Sequence, residues 1–165
     1  MLALRPWVMT VLVGLTALVL LVPGTASASV FDDDDVQSPL DIRFVDVDLL
    51  DHGKTRFTLM FHDRVPPWML RKRGALVELD EPECCRFFVR FKTTRTGVLR
   101  TSFGDYGSSI YHSPANHPNP FTYQAVLKAW FMNSQCCKPD VYRGRTTRTF
   151  RRGGPTIDRT RWVPV

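Results

Sequence analysis

The chain has 165 residues, of which 44% are hydrophobic and 12% aromatic, and its formal net charge is +6. This composition is that of a folded protein, and the length corresponds to one domain that can bury a core unaided. After residue 28 no apolar stretch is long enough to cross a membrane, which argues against an integral membrane protein.

The N-terminus has the three parts of a secretory signal peptide. Arg5 precedes an apolar run from Trp7 to Val22, which Pro23 and Gly24 interrupt before the small residues Ala26 to Ala28. That run is shorter than the roughly 20 apolar residues of a transmembrane helix. We therefore predict a signal peptide over residues 1–28, cleaved after Ala28, and a secreted extracellular protein with no membrane span once it is removed.

An acidic leader follows at residues 29–39, with four consecutive carboxylates from Asp32 to Asp35. These charges repel one another and lack periodic apolar neighbours, so we expect the leader to be disordered. Calcium loops place oxygen ligands at alternate positions and contain a turn glycine. The acidic run has neither feature, and the sequence predicts a solvated spacer without a metal site.

A β-hairpin is predicted from Leu40 to Val65. Ile42, Phe44 and Val47 alternate with polar residues, as do Phe57, Leu59 and Phe61, which is typical of half-buried strands. The turn Asp51–Lys54 contains Gly53, which can adopt a positive φ. The predicted core consists of Phe44, Phe57, Leu59, Phe61, Phe87, Val89, Phe91 and Leu127.

Further short strands are predicted at Ala75–Leu79, Cys84–Lys92 and Val98–Phe103, after a short helical turn at Trp68–Leu70. Phe121–Met132 fits a strand or a helix, and its β context favours a strand. A last strand is expected at Arg145–Phe150. This spacing predicts an all-β fold for residues 40–165, a single antiparallel β-sandwich that is immunoglobulin-like or jelly-roll-like.

A long loop is expected between Gly104 and Pro120, because three prolines and two glycines disfavour regular structure. Residues 105–117 offer one candidate for catalysis or metal binding, formed by Asp105, Tyr111, His112 and His117. Two histidines in such a loop are more often solvent-facing. The chain also lacks the common nucleophile, phosphate-binding and dinucleotide motifs, so an enzyme is the less favoured class, and no cofactor is expected.

Four cysteines occur as two doublets. Export and an even count predict two disulfides, with three connectivities open. Bonds within a doublet would close strained rings, which favours bonds between the doublets. Zinc sites space paired cysteines by two to four residues, so a metal site is disfavoured, and free or intermolecular thiols are the remaining alternative. The residues concerned are Cys84, Cys85, Cys136 and Cys137.

Charge is unevenly distributed along the chain. Residues 29–85 contain 7 basic and 13 acidic residues, whereas residues 86–165 contain 14 basic and 3 acidic residues. Arginines with interleaved aromatic residues suit anionic polymers, although the same residues could form an inert polar face. The candidate anion-binding residues are Arg143, Arg145, Arg148, Arg151 and Arg152.

The mature chain resembles small exported β-sandwich proteins of high-GC Gram-positive bacteria. The resemblance rests on the signal peptide, the segment SPLDIRFVDVDLLDHGKTRFTLMF with its D-H-G-K turn, the VELDEPE turn and the cysteines late in the chain. It implies a fold and an extracellular location but no mechanism, and the doubled cysteines depart from it.

These observations favour a non-catalytic protein with an extracellular binding or cell-surface structural role. The expected partner is an anionic cell-wall polymer or acidic glycan, and export makes nucleic acid a poor candidate. The competing hypothesis is a small secreted hydrolase-type enzyme that uses the 105–117 loop.

Overall fold

The computed structural model describes residues 28–80, 86–105, 109–128, 139–149 and 154–165. Within these ranges the chain forms twelve β-strands and two short 3-10 helices, at Asp51–Gly53 and Pro67–Arg71. Two antiparallel sheets pack against each other, which confirms the predicted all-β sandwich. No helix in the described part is long and apolar enough to cross a membrane.

The first sheet has five strands in the order β1-β2-β3-β9-β8. Their bounds are β1 Ala28–Phe31, β2 Ile42–Leu50, β3 Lys54–Phe61, β8 Asn116–Asn119 and β9 Thr122–Lys128. The second sheet has the order β11-β10-β4-β5-β6-β7, with β12 also paired to β10. Its strands are β4 Gly74–Asp80, β5 Arg86–Thr93, β6 Leu99–Asp105, β7 Ser109–Pro114, β10 Val141–Thr147, β11 Thr156–Arg159 and β12 Val163–Pro164.

The inward-facing side chains of both sheets form one hydrophobic core. Of the eight predicted core residues, six are buried: Phe57, Leu59, Phe61, Val89, Phe91 and Leu127. Phe87 is partly buried and packs against the core, where its ring stacks on Phe103. Burying each of these large side chains stabilises the fold by about 1.5–3 kcal/mol.

Phe44 was placed on the wrong face by the simple alternation of the sequence. Ile42 pairs with Phe61 but Phe44 pairs with Met60, so β2 contains one residue more than β3 at this point. Such a β-bulge inverts the facing of the residues beyond it. Val45 and Val47 therefore enter the core, and Phe44 lies half-buried on the opposite face, with its ring centroid 5.0 Å from that of Phe31.

The hairpin turn forms as expected, since Gly53 has a φ of 65° and His52 also adopts a positive φ of 61°. The leader differs from the disordered segment that was expected. Residues 28–31 form β1 and pair with β2. Further along, the Asp32 amide donates to the Arg43 carbonyl at 3.0 Å and the Asp41 amide donates to the Ser38 carbonyl at 3.0 Å.

The segment between Gly104 and Pro120 also differs from the expected irregular loop. It contains β7, which pairs with β6, and β8, which pairs with β9. The ambiguous segment at 121–132 is a strand over Thr122–Lys128, and the last predicted strand begins earlier, as β10 at Val141. The predicted signal peptide, apart from Ala28, and all four cysteines lie outside the described residues.

Candidate functional site

The outward face of the second sheet gathers half of the 14 basic residues between residues 86 and 165. Directly paired residues of antiparallel strands point to the same face. One cross-strand row runs Arg159, Arg145, Leu76, Arg90, Ser102 and His112 over six strands. On this face lie the cations Arg86, Arg90, Lys92, Arg100, Arg143, Arg145 and Arg159, against the acids Glu78 and Asp80.

Glu78 pairs with two of the predicted anion-binding arginines. Its side chain is only 1% exposed, and those of Arg143 and Arg145 are 15% and 16% exposed. The Arg143 Nε donates to Glu78 Oε2 at 2.7 Å, and the Arg145 Nη1 donates to Oε1 at 2.9 Å. These two arginines therefore hold β10 on β4, and both guanidinium groups are already engaged by one carboxylate of the same chain.

Further contacts fix both guanidinium groups. Arg145 also donates from Nε to the Thr156 hydroxyl at 3.1 Å and from Nη2 to the Gly154 carbonyl at 3.2 Å. Arg143 lies over the ring of Trp162, 4.1 Å from its centroid. Trp162 thus packs against the body of the protein, and its face is occupied by a cation of the same chain.

The remaining predicted arginines are placed differently. Arg148 is exposed just after the end of β10, and Arg151 and Arg152 lie outside the described residues. The structure therefore does not gather the five predicted arginines into one described site.

A second group of basic side chains lies at the other side of the same face, where strand pairing places no acidic residue opposite it among the described residues. Lys92 on β5 is directly opposite Arg100 on β6, and the Lys92 Nζ is 3.5 Å from His112 Nδ1 on β7. Burial, then the charges of Arg90 and Arg100, lower the pKa of Lys92. We call Lys92, Arg100 and His112 the basic corner; sequence analysis missed this group because its members meet only through strand pairing.

An exposed tryptophan adjoins this end of β5. Trp68 is 67% exposed and lines a groove of about 430 Å³ with Met69 and the basic run Arg71 to Arg73. The Pro67 carbonyl accepts a hydrogen bond from the hydroxyl of Thr93, the residue after Lys92. The groove therefore lies at the same end of β5 as the basic corner, with an aromatic face available for stacking.

The two histidines of the predicted loop site are not brought together. His112 lies on the outward face of the second sheet beside Lys92, whereas His117 lies on β8 of the first sheet. The His117 ring stacks on Tyr123 with centroids 4.4 Å apart, its Nε2 is buried without a hydrogen-bond partner, and burial lowers its pKa. The side chains of Asp105 and Tyr111 are not among those that the structure describes.

Acidic residues converge where the two sheets meet the leader. Among the described residues, the one group of three potential metal ligands with atoms within 4.8 Å of one another is Asp35, Asp41 and Asp158. They come from the leader, the residue before β2, and β11. The Asp158 Oδ2 accepts a hydrogen bond from the Ile42 amide at 2.7 Å, and the Asp41 Oδ2 accepts one from the Val36 amide at 3.4 Å.

Comparisons of the chain with models of protein families, with curated proteins and with solved structures found no match. The function is therefore inferred from the residues and their arrangement alone.

Proposed function

We propose that the protein is secreted and non-catalytic, and that it binds an anionic cell-wall polymer or acidic glycan through the basic corner. The observation that carries this proposal is the direct opposition of Lys92 and Arg100, with His112 beside Lys92. This location replaces Arg143 and Arg145 as the proposed binding residues, because their side chains are largely buried and already paired with Glu78.

Opposed like charges on neighbouring strands destabilise a sheet, by roughly 0.2–1 kcal/mol for a pair. A bound polyanion converts that repulsion into attraction, because its phosphate or carboxylate groups would lie between the cations. The exposed Arg100 guanidinium can bind such a group through two hydrogen bonds. The repulsion between Lys92 and Arg100 lowers the stability of the free protein, and a surface selected to bind an anion would carry such a repulsion.

The Trp68 groove lies at the same end of β5 and offers stacking area and three more cations. Aromatic and basic side chains together suit a polymer that carries both sugar rings and anionic groups. The competing hydrolase-type hypothesis requires His112 and His117 to act on one substrate. Their positions in different sheets, with different contacts, favour the binding role.

The test compares two double variants that remove the same charge. Lys92→Gln with Arg100→Gln removes the pair in the basic corner, and Lys54→Gln with Lys128→Gln removes a pair that is also directly opposed but lies on the first sheet. Retention of each protein on purified Gram-positive cell wall, and on dextran sulfate as a defined polyanion, is measured at low and high salt.

We expect the basic-corner variant to bind about five- to tenfold more weakly at low salt, with the control within twofold of the wild type. Binding of the wild type should also fall steeply with salt, because charges are screened over about 8–10 Å near physiological ionic strength. Equal losses in both double variants would indicate attraction to net charge alone. Unchanged retention of a folded basic-corner variant would refute the proposed site.

A further inference from the structure

We propose that Asp35, Asp41 and Asp158 form a calcium site that joins the N-terminal leader to both sheets. Carboxylate oxygens are the ligands that calcium prefers, and one oxygen from each of these residues lies within 4.8 Å of the others. The site is independent of the basic corner. It was not foreseen from the acidic run, because two of its three carboxylates come from elsewhere in the chain.

Burial distinguishes this group from an ordinary acidic surface. Asp41 is 1% exposed and Asp158 is 6% exposed. The Asp41 Oδ1 is buried and has no hydrogen-bond donor among the residues that the structure describes. A buried carboxylate oxygen that lacks a partner costs free energy, because it has lost water and gained nothing in exchange. A cation bound among the three carboxylates would supply the missing interaction.

The surroundings of Asp41 supply mainly negative charge. Burial, and then the charge of Asp158 and contact with Asp34, raise its pKa to about 6, while the Val36 amide and His62 act in the opposite direction. Burial also raises the pKa of Asp158, against the Ile42 and Arg159 amides, while Asp35 adds to the rise and a hydrogen bond to Asp41 opposes it. Burial, Asp158 and Asp35 raise the pKa of Asp32, against a hydrogen bond from the Asp33 amide. A bound cation would offset the repulsion that remains among these carboxylates.

The backbone around the site is already arranged. The amides of Ile42 and Val36 fix one oxygen each of Asp158 and Asp41, and the Asp41 carbonyl accepts from the His62 amide at 3.0 Å. Two carboxylates are thus held by structured elements, and the exposed Asp35 is carried by the leader. Binding of the metal is expected to stabilise the leader against the two sheets.

Calcium binding is tested by thermal unfolding of the full chain at pH 7.5, in EDTA and in about 5 mM calcium chloride, a concentration above the roughly 10⁻⁴–10⁻³ M dissociation constants of weak sites. We expect calcium to raise the Tm of the wild type by about 3–8 °C. No rise in Tm would overturn the proposal, and the group would then be one that takes up a proton.

Two variants in the acidic run provide a matched comparison. Asp35→Asn removes a proposed ligand, and Asp33→Asn removes the same charge from an exposed neighbour outside the group. Titration with calcium chloride should show about tenfold weaker binding for the first variant and less than a twofold change for the second. Equal weakening in both variants would show a diffuse acidic effect and overturn the site.

A third variant gives a readout of opposite sign. Asp41→Asn removes the buried charge, so in EDTA at pH 7.5 it should raise the Tm above that of the wild type. The same variant should lose the increase in Tm that calcium causes. An Asp41→Asn protein that keeps the full calcium effect would contradict the assignment.

Discussion

Among the charged residues of the second sheet, Glu78 is expected to cause the largest loss in the free energy of unfolding when it is replaced. Its side chain is 1% exposed and holds Arg143 and Arg145, so Glu78→Gln keeps the shape but removes the charge that both guanidinium groups need. Breaking a buried pair by removing one partner costs about 3–5 kcal/mol. The arginines keep some access to water, at 15% and 16% exposure, so we expect a loss of about 2–4 kcal/mol in the free energy of unfolding.

Asp80→Asn is the matched control, because Asp80 lies two residues further along β4, on the same face, and pairs with Arg86 at 2.7 Å. The Arg86 side chain is 47% exposed, so water and salt screen this pair and its loss should cost less than about 1 kcal/mol. Urea unfolding at pH 7 of both variants and the wild type gives the comparison. Equal costs at the two positions would refute the argument from burial.

Further predictions concern the core, a close contact, the cysteines and pH. Phe57→Ala should cost about 3–5 kcal/mol and Phe44→Ala about 1–2 kcal/mol in urea unfolding, because the bulge removes Phe44 from the core; equal costs would contradict the bulge. Gly74→Ala should lower the free energy of unfolding by about 1–3 kcal/mol, since its Cβ would collide with the Thr147 hydroxyl, and an unchanged Tm would refute the contact. Mass mapping of unreduced peptides from the exported protein should find two disulfides between the cysteine doublets, and four free thiols would exclude them. In EDTA, the free energy of unfolding of the wild type should fall as pH rises from about 4 to 6, because the folded protein keeps a proton on Asp41 that the unfolded chain releases. The Asp41→Asn variant should show a smaller fall, and identical pH profiles would contradict the assignment to Asp41.

Local pattern was sufficient to predict most of the strands. In β3 and β5 an apolar residue recurs at every second position, as Phe57, Leu59 and Phe61 and as Phe87, Val89 and Phe91, and all of these except the partly buried Phe87 are buried in the core. The sequence-based predictions fail where the strand pairing departs from the local pattern of apolar and polar residues. The bulge in β2 inverts the facing of Phe44, and the proline-rich segment at 109–119 becomes β7 and β8 because edge positions tolerate residues that cannot donate to a ladder.

The sequence alone determined the all-β class, six residues of the core and the concentration of positive charge in the second half of the chain. These properties depend on short-range periodicity and on composition, which can be read directly from the residues. Only the tertiary structure decided which charges are matched. Strand pairing places Glu78 opposite Arg143 and within reach of Arg145, and it leaves Lys92 opposite Arg100. The fold also brings Asp35 and Asp41 to Asp158 across more than a hundred residues. Electrostatic energy depends on distance in space and on burial, and neither quantity is contained in the order of residues along the chain.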